Sequence, residues 1–243
     1  MAQASRRQFA PLKHGAAQTT GVPQLKGVVF DVDGTLCEPQ NHMFAEMRSV
    51  LGIPKSIDIL DHIYSLTPAS KQEEAMESIR AIERREMAKQ IAQPGLTDLM
   101  RYLDERGVRK GICTRNFDGP VTHLLTRFLP GSVFAPIVTR DFRPPKPDPA
   151  GILFIARSWG LSRPVGEAAQ DDDEVIGDAR GLIMVGDSID DMTAGRRAGA
   201  ATVLLVNPAN EHLAEHEHTD LVIKRLDDLA AILEDGFIGR EMP

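Results

Sequence analysis

Gly27-Val28-Val29-Phe30-Asp31-Val32-Asp33-Gly34-Thr35 is the stretch on which the reading of this chain turns. Its apolar start reads as a short strand. That strand runs directly into two carboxylates, Asp31 and Asp33, at a turn that the following Gly34 readily completes. An open α/β sheet binds its ligands beyond the carboxyl ends of its strands, so a strand that ends on charge is a candidate site. Outward from it the pattern alternates. Strands are expected at Arg109 to Cys113, Pro136 to Val138, Gly181 to Val185 and Ala201 to Val206, the last continuously apolar as a buried strand should be. Helices are expected at Leu96 to Glu105, Pro120 to Phe128, Asp148 to Trp159, Met192 to Ala198 and Leu226 to Leu233. This alternation predicts an α/β fold with a parallel sheet and crossover helices.

Between Asn41 and Ala92 the periodicity is helical only. Apolar residues recur through Phe44, Met47 and Leu51, then through Ile57, Leu60, Ile63 and Tyr64, and a charged helix follows over Lys71 to Ile91. Gln93-Pro94-Gly95 closes the block. The expected organisation is a polar tail over 1–24, an α/β core over 25–38 and 94–243, and an inserted helical domain over 39–93. The tail carries Arg6, Arg7, Lys13 and His14 and no acid, which loosely resembles an organelle presequence but also fits a mobile polar extension. The acidic run from Glu167 to Asp178 reads as a solvated loop, since neighbouring carboxylates repel one another.

Composition narrows the function classes. With 42% hydrophobic and 26% charged residues among 243, the chain has the makings of a packed core, which excludes disorder as its main state. A net charge of -7 argues against nucleic acid or an anionic membrane as partner, because both need clustered Lys and Arg. Two cysteines, Cys37 and Cys113, leave no disulfide framework and no zinc spacing, and favour a reducing, cytoplasmic setting. No apolar run approaches the roughly 20 residues that span a bilayer. Nothing in the pattern predicts an oligomer.

Three further polar signals fall at strand ends: Thr114-Arg115-Asn116, Lys146 between prolines, and Gly186-Asp187-Ser188-Ile189-Asp190-Asp191. Each has a local alternative. Asp31 or Asp33 can cap a turn, Thr114 or Asp187 with Asp191 can cap a helix, and Lys146 can be a loop charge. Their arrival in order, each after a strand, argues for one site. Carboxylates gathered there need a hard divalent cation to offset their repulsion, and all-oxygen ligation suits magnesium.

These motifs, in this order, resemble the haloacid dehalogenase superfamily of hydrolases. The resemblance covers roughly 26–233. The insertion looks like the small helical cap of phosphoglycolate-phosphatase-like members, and the chain is also similar to fungal haloacid dehalogenase-like hydrolases. The resemblance implies a Rossmann-like parallel sheet with a mobile all-helical cap. It implies Asp31 as nucleophile, Asp33 as general acid and base, and Lys146 as the cation that stabilises the transferring phosphoryl group. Gly34, Thr114, Arg115 and Lys146 would bind phosphate, with backbone N–H groups contributing. Magnesium would be held by Asp31, the Asp33 region through the Val32 carbonyl, and Asp187, with Asp191 or Asp190 behind. The acid two residues after the nucleophile favours phosphate-ester chemistry over dehalogenation, since a halide leaves unprotonated. A magnesium-dependent phosphatase of a small phosphorylated metabolite is therefore expected. A sugar phosphomutase or a catalytically silent phosphate-binding scaffold remains open. Substrate selectivity is expected from His42, Met43, Phe44, Met47 and Arg48 on the first cap helix and from Asn116, with Arg140 and Arg143 near strand ends.

Overall fold

The computed structural model describes residues 6–15, 21–164 and 175–241. Along the chain the elements are β1 (Gln8–Phe9), β2 (Gly27–Phe30), α1 (Asn41–Leu51), α2 (Ile59–Ser65), α3 (Ala69–Met87), α4 (Leu96–Glu105), β3 (Arg109–Cys113), α5 (Asp118–Phe128) and β4 (Ile137–Val138). They continue with α6 (Ala150–Ser158), β5 (Ser162–Pro164), β6 (Val175–Gly177), β7 (Leu182–Gly186), α7 (Ile189–Ala198), β8 (Ala201–Leu205), β9 (Leu221–Ile223), α8 (Asp228–Asp235) and β10 (Phe237–Ile238).

Six strands form one parallel sheet in the order β4-β3-β2-β7-β8-β9. The chain winds outward from β2 to one edge, then returns to β7 and winds to the other. Strand order therefore reverses beside β2, which is where a doubly wound sheet opens a crevice for ligands. Register does the rest. Phe30 lies level with Ile112 on β3 and with Val185 on β7, so Asp31, Thr114 and Asp187 emerge within two residues of one another at the same edge.

Side chains alternate across the sheet. Val28 and Phe30 join the core made with α4, α5 and α8, whereas Val29 joins the core made with α6 and α7. Helix α4 shows why a pattern becomes a packing face: Leu96, Leu99, Met100 and Leu103 recur at helical spacing and all four are buried. Helices α1, α2 and α3 close a separate apolar cluster around Met47, Ile63 and Ile79. The segments entering and leaving these three helices run side by side. The Glu38 N–H donates to the Ile91 carbonyl at 2.9 Å, and the Gln93 N–H donates to the Leu36 carbonyl at 3.1 Å.

Some expectations change. The stretch 1–24 does not behave as a tail throughout: Gln8–Phe9 pairs antiparallel with β10, and the Phe9 and Phe237 rings meet at 5.7 Å between centroids. An aromatic residue in a polar stretch has found its apolar partner at the far end of the chain. Helix α7 begins at Ile189 rather than Met192, because Ser188 and Asp191 form a reciprocal capping box that starts it a turn early. Strands β5, β6 and β9 were not expected, being three residues each. Most of the acidic run, Glu167 to Glu174, lies outside the described residues; Asp178 within them pairs with Arg180 at 2.6 Å. Among the described residues no helix is long and apolar enough to cross a membrane.

Candidate active site

The turn after β2 is built tightly. The Asp31 N–H donates to the Val185 carbonyl at 3.0 Å, extending the sheet by one bond. The Val32 carbonyl, expected to face a cation, turns inward instead and accepts from the N–H groups of Thr35, Leu36 and Cys37 at 3.2, 2.8 and 3.1 Å. Its lone pairs close the loop. Gly34 has φ of 78°, and a Cβ there would overlap the Asp187 carboxylate; a Cβ on Gly186 would overlap Asp191. The two glycines thus let two carboxylates approach the backbone.

Lys146 joins the pieces. Its buried Nζ donates to Asp31 Oδ1 at 2.7 Å and to Asp191 Oδ1 at 2.5 Å. The second Asp191 oxygen accepts from the Ser188 N–H at 3.0 Å and from Ser188 Oγ at 2.6 Å. The capping and site roles, alternatives in the sequence, coexist on one carboxylate. Burial alone would lower the Lys146 pKa, but Asp191 and Asp31 more than offset it and hold the ammonium protonated.

Asp31, Asp187 and Asp191 each present an oxygen within 4.8 Å of the others. Burial pushes Asp31 up to about 7, with Lys146 opposing and Asp191 adding. Burial followed by Asp191 and Asp31 pushes Asp187 up to about 8. This crowding is unfavourable for bare carboxylates and suits a hard divalent cation, which takes oxygen ligands and relieves the repulsion. Both Asp191 oxygens are already engaged, so Asp31 and Asp187 are the donors with capacity to spare. Asn210, which the sequence reading missed, fixes Asp187 from the loop after β8 by donating Nδ2 to its carbonyl at 2.7 Å.

Asp33 lies behind this group. Burial raises its pKa, against the neighbouring Asn116 and Cys37 side chains, which lower it. The Cys37 thiol lies 3.4 Å from Oδ1, whereas the buried Oδ2 has no partner among the described residues. Thr114 is buried at the end of β3, its Oγ1 accepting from the Asn116 N–H at 3.2 Å.

A cleft of about 980 Å³ opens above these residues, its other wall supplied by α1, α2 and α3. Phe44, Arg48 and Asn116 line it, as does Met47; His42 does not. The His42 ring is 63% exposed and pairs with the buried Glu86 Oε2 at 2.8 Å. The Arg115 guanidinium spans Asp58 Oδ2 before α2 and Asp190 Oδ2 on α7, both at 2.5 Å. Asp190 is thereby drawn away from the carboxylate group that Asp191 joins. The Arg143 guanidinium lies over the Tyr64 ring.

Two buried groups in the wall stand out. Arg140 is 1% exposed and Glu83 4% exposed, and they form an ion pair between the loop after β4 and α3. Arg140 is held from three further sides: its N–H donates to the Asn116 carbonyl at 2.9 Å, Nη1 to Met76 Sδ at 3.8 Å, and its guanidinium lies 5.4 Å from the Phe117 ring centroid. Burial pushes the Glu83 carboxyl up to about 7 despite Arg140. Glu83 and Asp58 were missed from the sequence. A signal existed for Glu83, since it falls on the buried stripe Met76-Ile79-Glu83-Glu86 of an otherwise charged helix.

Residues 28–205 match the family model described as Haloacid dehalogenase-like hydrolase. The chain belongs to that family. Within it, the chain is 45% identical over 217 residues to a Saccharomyces cerevisiae protein known only as an uncharacterized hydrolase, a match covering 88% of this chain and 92% of that one. It is 28% identical over 235 residues to phosphoglycolate phosphatase 1 of Pseudomonas aeruginosa, covering 86% and 79% of the two chains. In three dimensions it resembles CbbY from Rhodobacter sphaeroides, solved in complex with phosphate. The TM-score is 0.62 at 17% identity, with 85% of this chain and 96% of that one covered. That likeness establishes a common fold for this haloacid dehalogenase-like hydrolase, whose open strand ends carry the carboxylates described above.

Proposed function

We propose that this haloacid dehalogenase-like hydrolase is a magnesium-dependent phosphatase that cleaves a small phosphate monoester through an aspartyl-phosphate on Asp31. The observation that carries the reading is Lys146, whose one ammonium bridges Asp31 and Asp191 beside Asp187. Relatives named phosphoglycolate phosphatase lend it further support. Asp31 and Asp187 would hold the magnesium, which when bound offsets the charge between an anionic nucleophile and the phosphoryl oxygens.

The chain's own groups then divide the work. Asp31 attacks phosphorus; the bond to the leaving oxygen breaks, and Asp33 gives that oxygen its proton. The burial that raises the Asp33 pKa favours the protonated form this step requires. In the second half Asp33 takes a proton from water, whose oxygen attacks the aspartyl-phosphate, frees phosphate and restores the Asp31 carboxylate. Thr114, with backbone N–H groups at the β2 and β3 ends, would orient the phosphoryl oxygens, and Lys146 would stabilise their charge in the transition state.

The test is Asp31→Asn. Phosphate release from p-nitrophenyl phosphate with magnesium should fall by at least about 1000-fold, with an unchanged circular dichroism spectrum. Turnover that survives the substitution, or survives chelation of magnesium in the wild type, overturns the reading. A product screen for isomerised sugar phosphate separates hydrolysis from phosphoryl return.

A further inference from the structure

The loop after β8 carries two asparagines whose amides are aimed by the backbone. Asn210 is buried, and its Oδ1 accepts from the Asn207 N–H at 2.7 Å, which leaves Nδ2 to donate to the carbonyls of Asp187 at 2.7 Å and Leu205 at 3.1 Å. One side chain thus ties the residue after β7 to the end of β8 and to the turn that follows. Asn207 is half-buried in that turn. Its Oδ1 accepts from the Ala209 N–H at 2.9 Å, so its Nδ2 is the end turned toward Asp187, 3.5 Å from Oδ2. Among the described residues that amide is the one donor within hydrogen-bond reach of the Asp187 carboxylate.

Closing the turn needs only the Asn207 Oδ1, so the contact made by Nδ2 serves Asp187. An aspartate carboxylate turns easily about its last torsion. A cation that demands near-octahedral geometry must still that rotation when it binds, which costs affinity unless a neighbour has stilled it beforehand. The oxygen that Asn207 reaches is also the one nearer Gly34, since a Cβ at that glycine would overlap Oδ2 first. One oxygen of Asp187 is therefore held, and Oδ1 is left to ligate. Groups that hydrogen-bond a ligating carboxylate typically change metal affinity by about 10- to 100-fold.

We propose that Asn207, itself held by Asn210, is a positioning residue for the cation: its amide fixes Asp187 Oδ2, so that Oδ1 meets magnesium as a single, pre-aimed ligand. This rests on the reading of Asp31 and Asp187 as the magnesium donors, and it adds to them a side chain 20 residues further along the chain, beyond a different strand.

The experiment titrates manganese(II) alone, an ion with the same preference for oxygen ligands, into the full-length protein without substrate and reads the free ion by electron paramagnetic resonance. Binding that Asp187→Asn abolishes belongs to this site. Asn207→Ser keeps a hydroxyl for the Ala209 N–H but is too short to reach Asp187. In that variant the Kd for manganese should rise by about ten-fold, and turnover of p-nitrophenyl phosphate lost at low magnesium should return as magnesium is raised. A merely structural role would lower turnover at every magnesium concentration and leave Kd alone, and an unchanged Kd overturns the proposal. If Asn207→Ser does not fold, Asn207→Ala removes the same amide and gives the same readout. Manganese binding does not depend on turnover, so a wild type that binds the ion but hydrolyses no phosphate ester refutes the phosphatase reading alone, and the comparison of Kd values still decides the role of Asn207. A wild type with no manganese binding sensitive to Asp187 overturns the proposal.

Discussion

The floor of the cleft and its helical wall both hold buried charge, but they hold it differently. On the floor, Asp31 follows a strand, Asp191 lies in the first turn of α7 and Lys146 lies in the loop before α6, and all three belong to the α/β core. In the wall, Glu83 meets Arg140 and Asp58 meets Arg115, so each pair joins an inserted helix or its cap to the core. Floor pairs are internal to one packed body, whereas wall pairs span two. Damage to the floor should therefore appear in chemistry and stability together. Damage to the wall should appear in substrate affinity and selectivity.

The largest expected effect is Lys146→Met. Removing one partner leaves buried carboxylates uncompensated, which should lower stability by about 3 to 5 kcal/mol in a denaturant titration. Phosphate release should fall by about 100-fold or more in the same variant. Loss of activity without loss of stability would mean that the floor is not held as described.

Cutting the wall is gentler. Arg115 and its two partners are each about a third exposed or less, and such pairs contribute about 1 kcal/mol or less. Arg115→Gln should raise KM by about three-fold while changing kcat little, consistent with a closure step rather than chemistry. Wild-type KM should also rise with ionic strength, and the variant should lose that dependence. A fall in kcat with KM unchanged would place Arg115 on the floor's side of the comparison.

The smallest effect belongs to Glu86, a wall residue that does not line the cleft. Hydrogen bonds from His42, Arg85 and Lys89 hold Glu86 down to about 2, well below the ordinary carboxylate value. A depressed carboxylate contributes stability that is complete above its unfolded value of about 4.3 and is lost as pH falls toward about 2. Glu86→Gln should therefore lower Tm slightly at neutral pH, with the two proteins converging near pH 2. A constant difference across that range would remove the electrostatic explanation.

The floor was legible in the sequence because its parts are local. A continuous apolar strand that runs into Asp31 and Asp33 announces both itself and the carboxylates at its end. The one-sided spacing of Leu96, Leu99, Met100 and Leu103 likewise gave α4 at its observed bounds. The wall was legible only in part. Arg48 and Asn116 were anticipated, but Glu83 hides in a helix whose many charges read as solvated, and its partner lies 57 residues away. His42 looked equally suitable until Glu86 claimed it. Distance in sequence also hid the pairing of Phe9 with Phe237, since a two-residue strand carries no periodicity of its own.

Asp191 ties the first turn of α7 to the placement of the Lys146 ammonium, one oxygen for each. Asp191 and Met192 are wholly buried, so that turn cannot fray without breaking the Lys146 ion pair, and its opening costs about as much as the pair itself, about 3 to 5 kcal/mol. The start of one helix and the readiness of the site therefore stand or fall as a unit. On heating, turnover and the circular dichroism signal should be lost over the same temperature range.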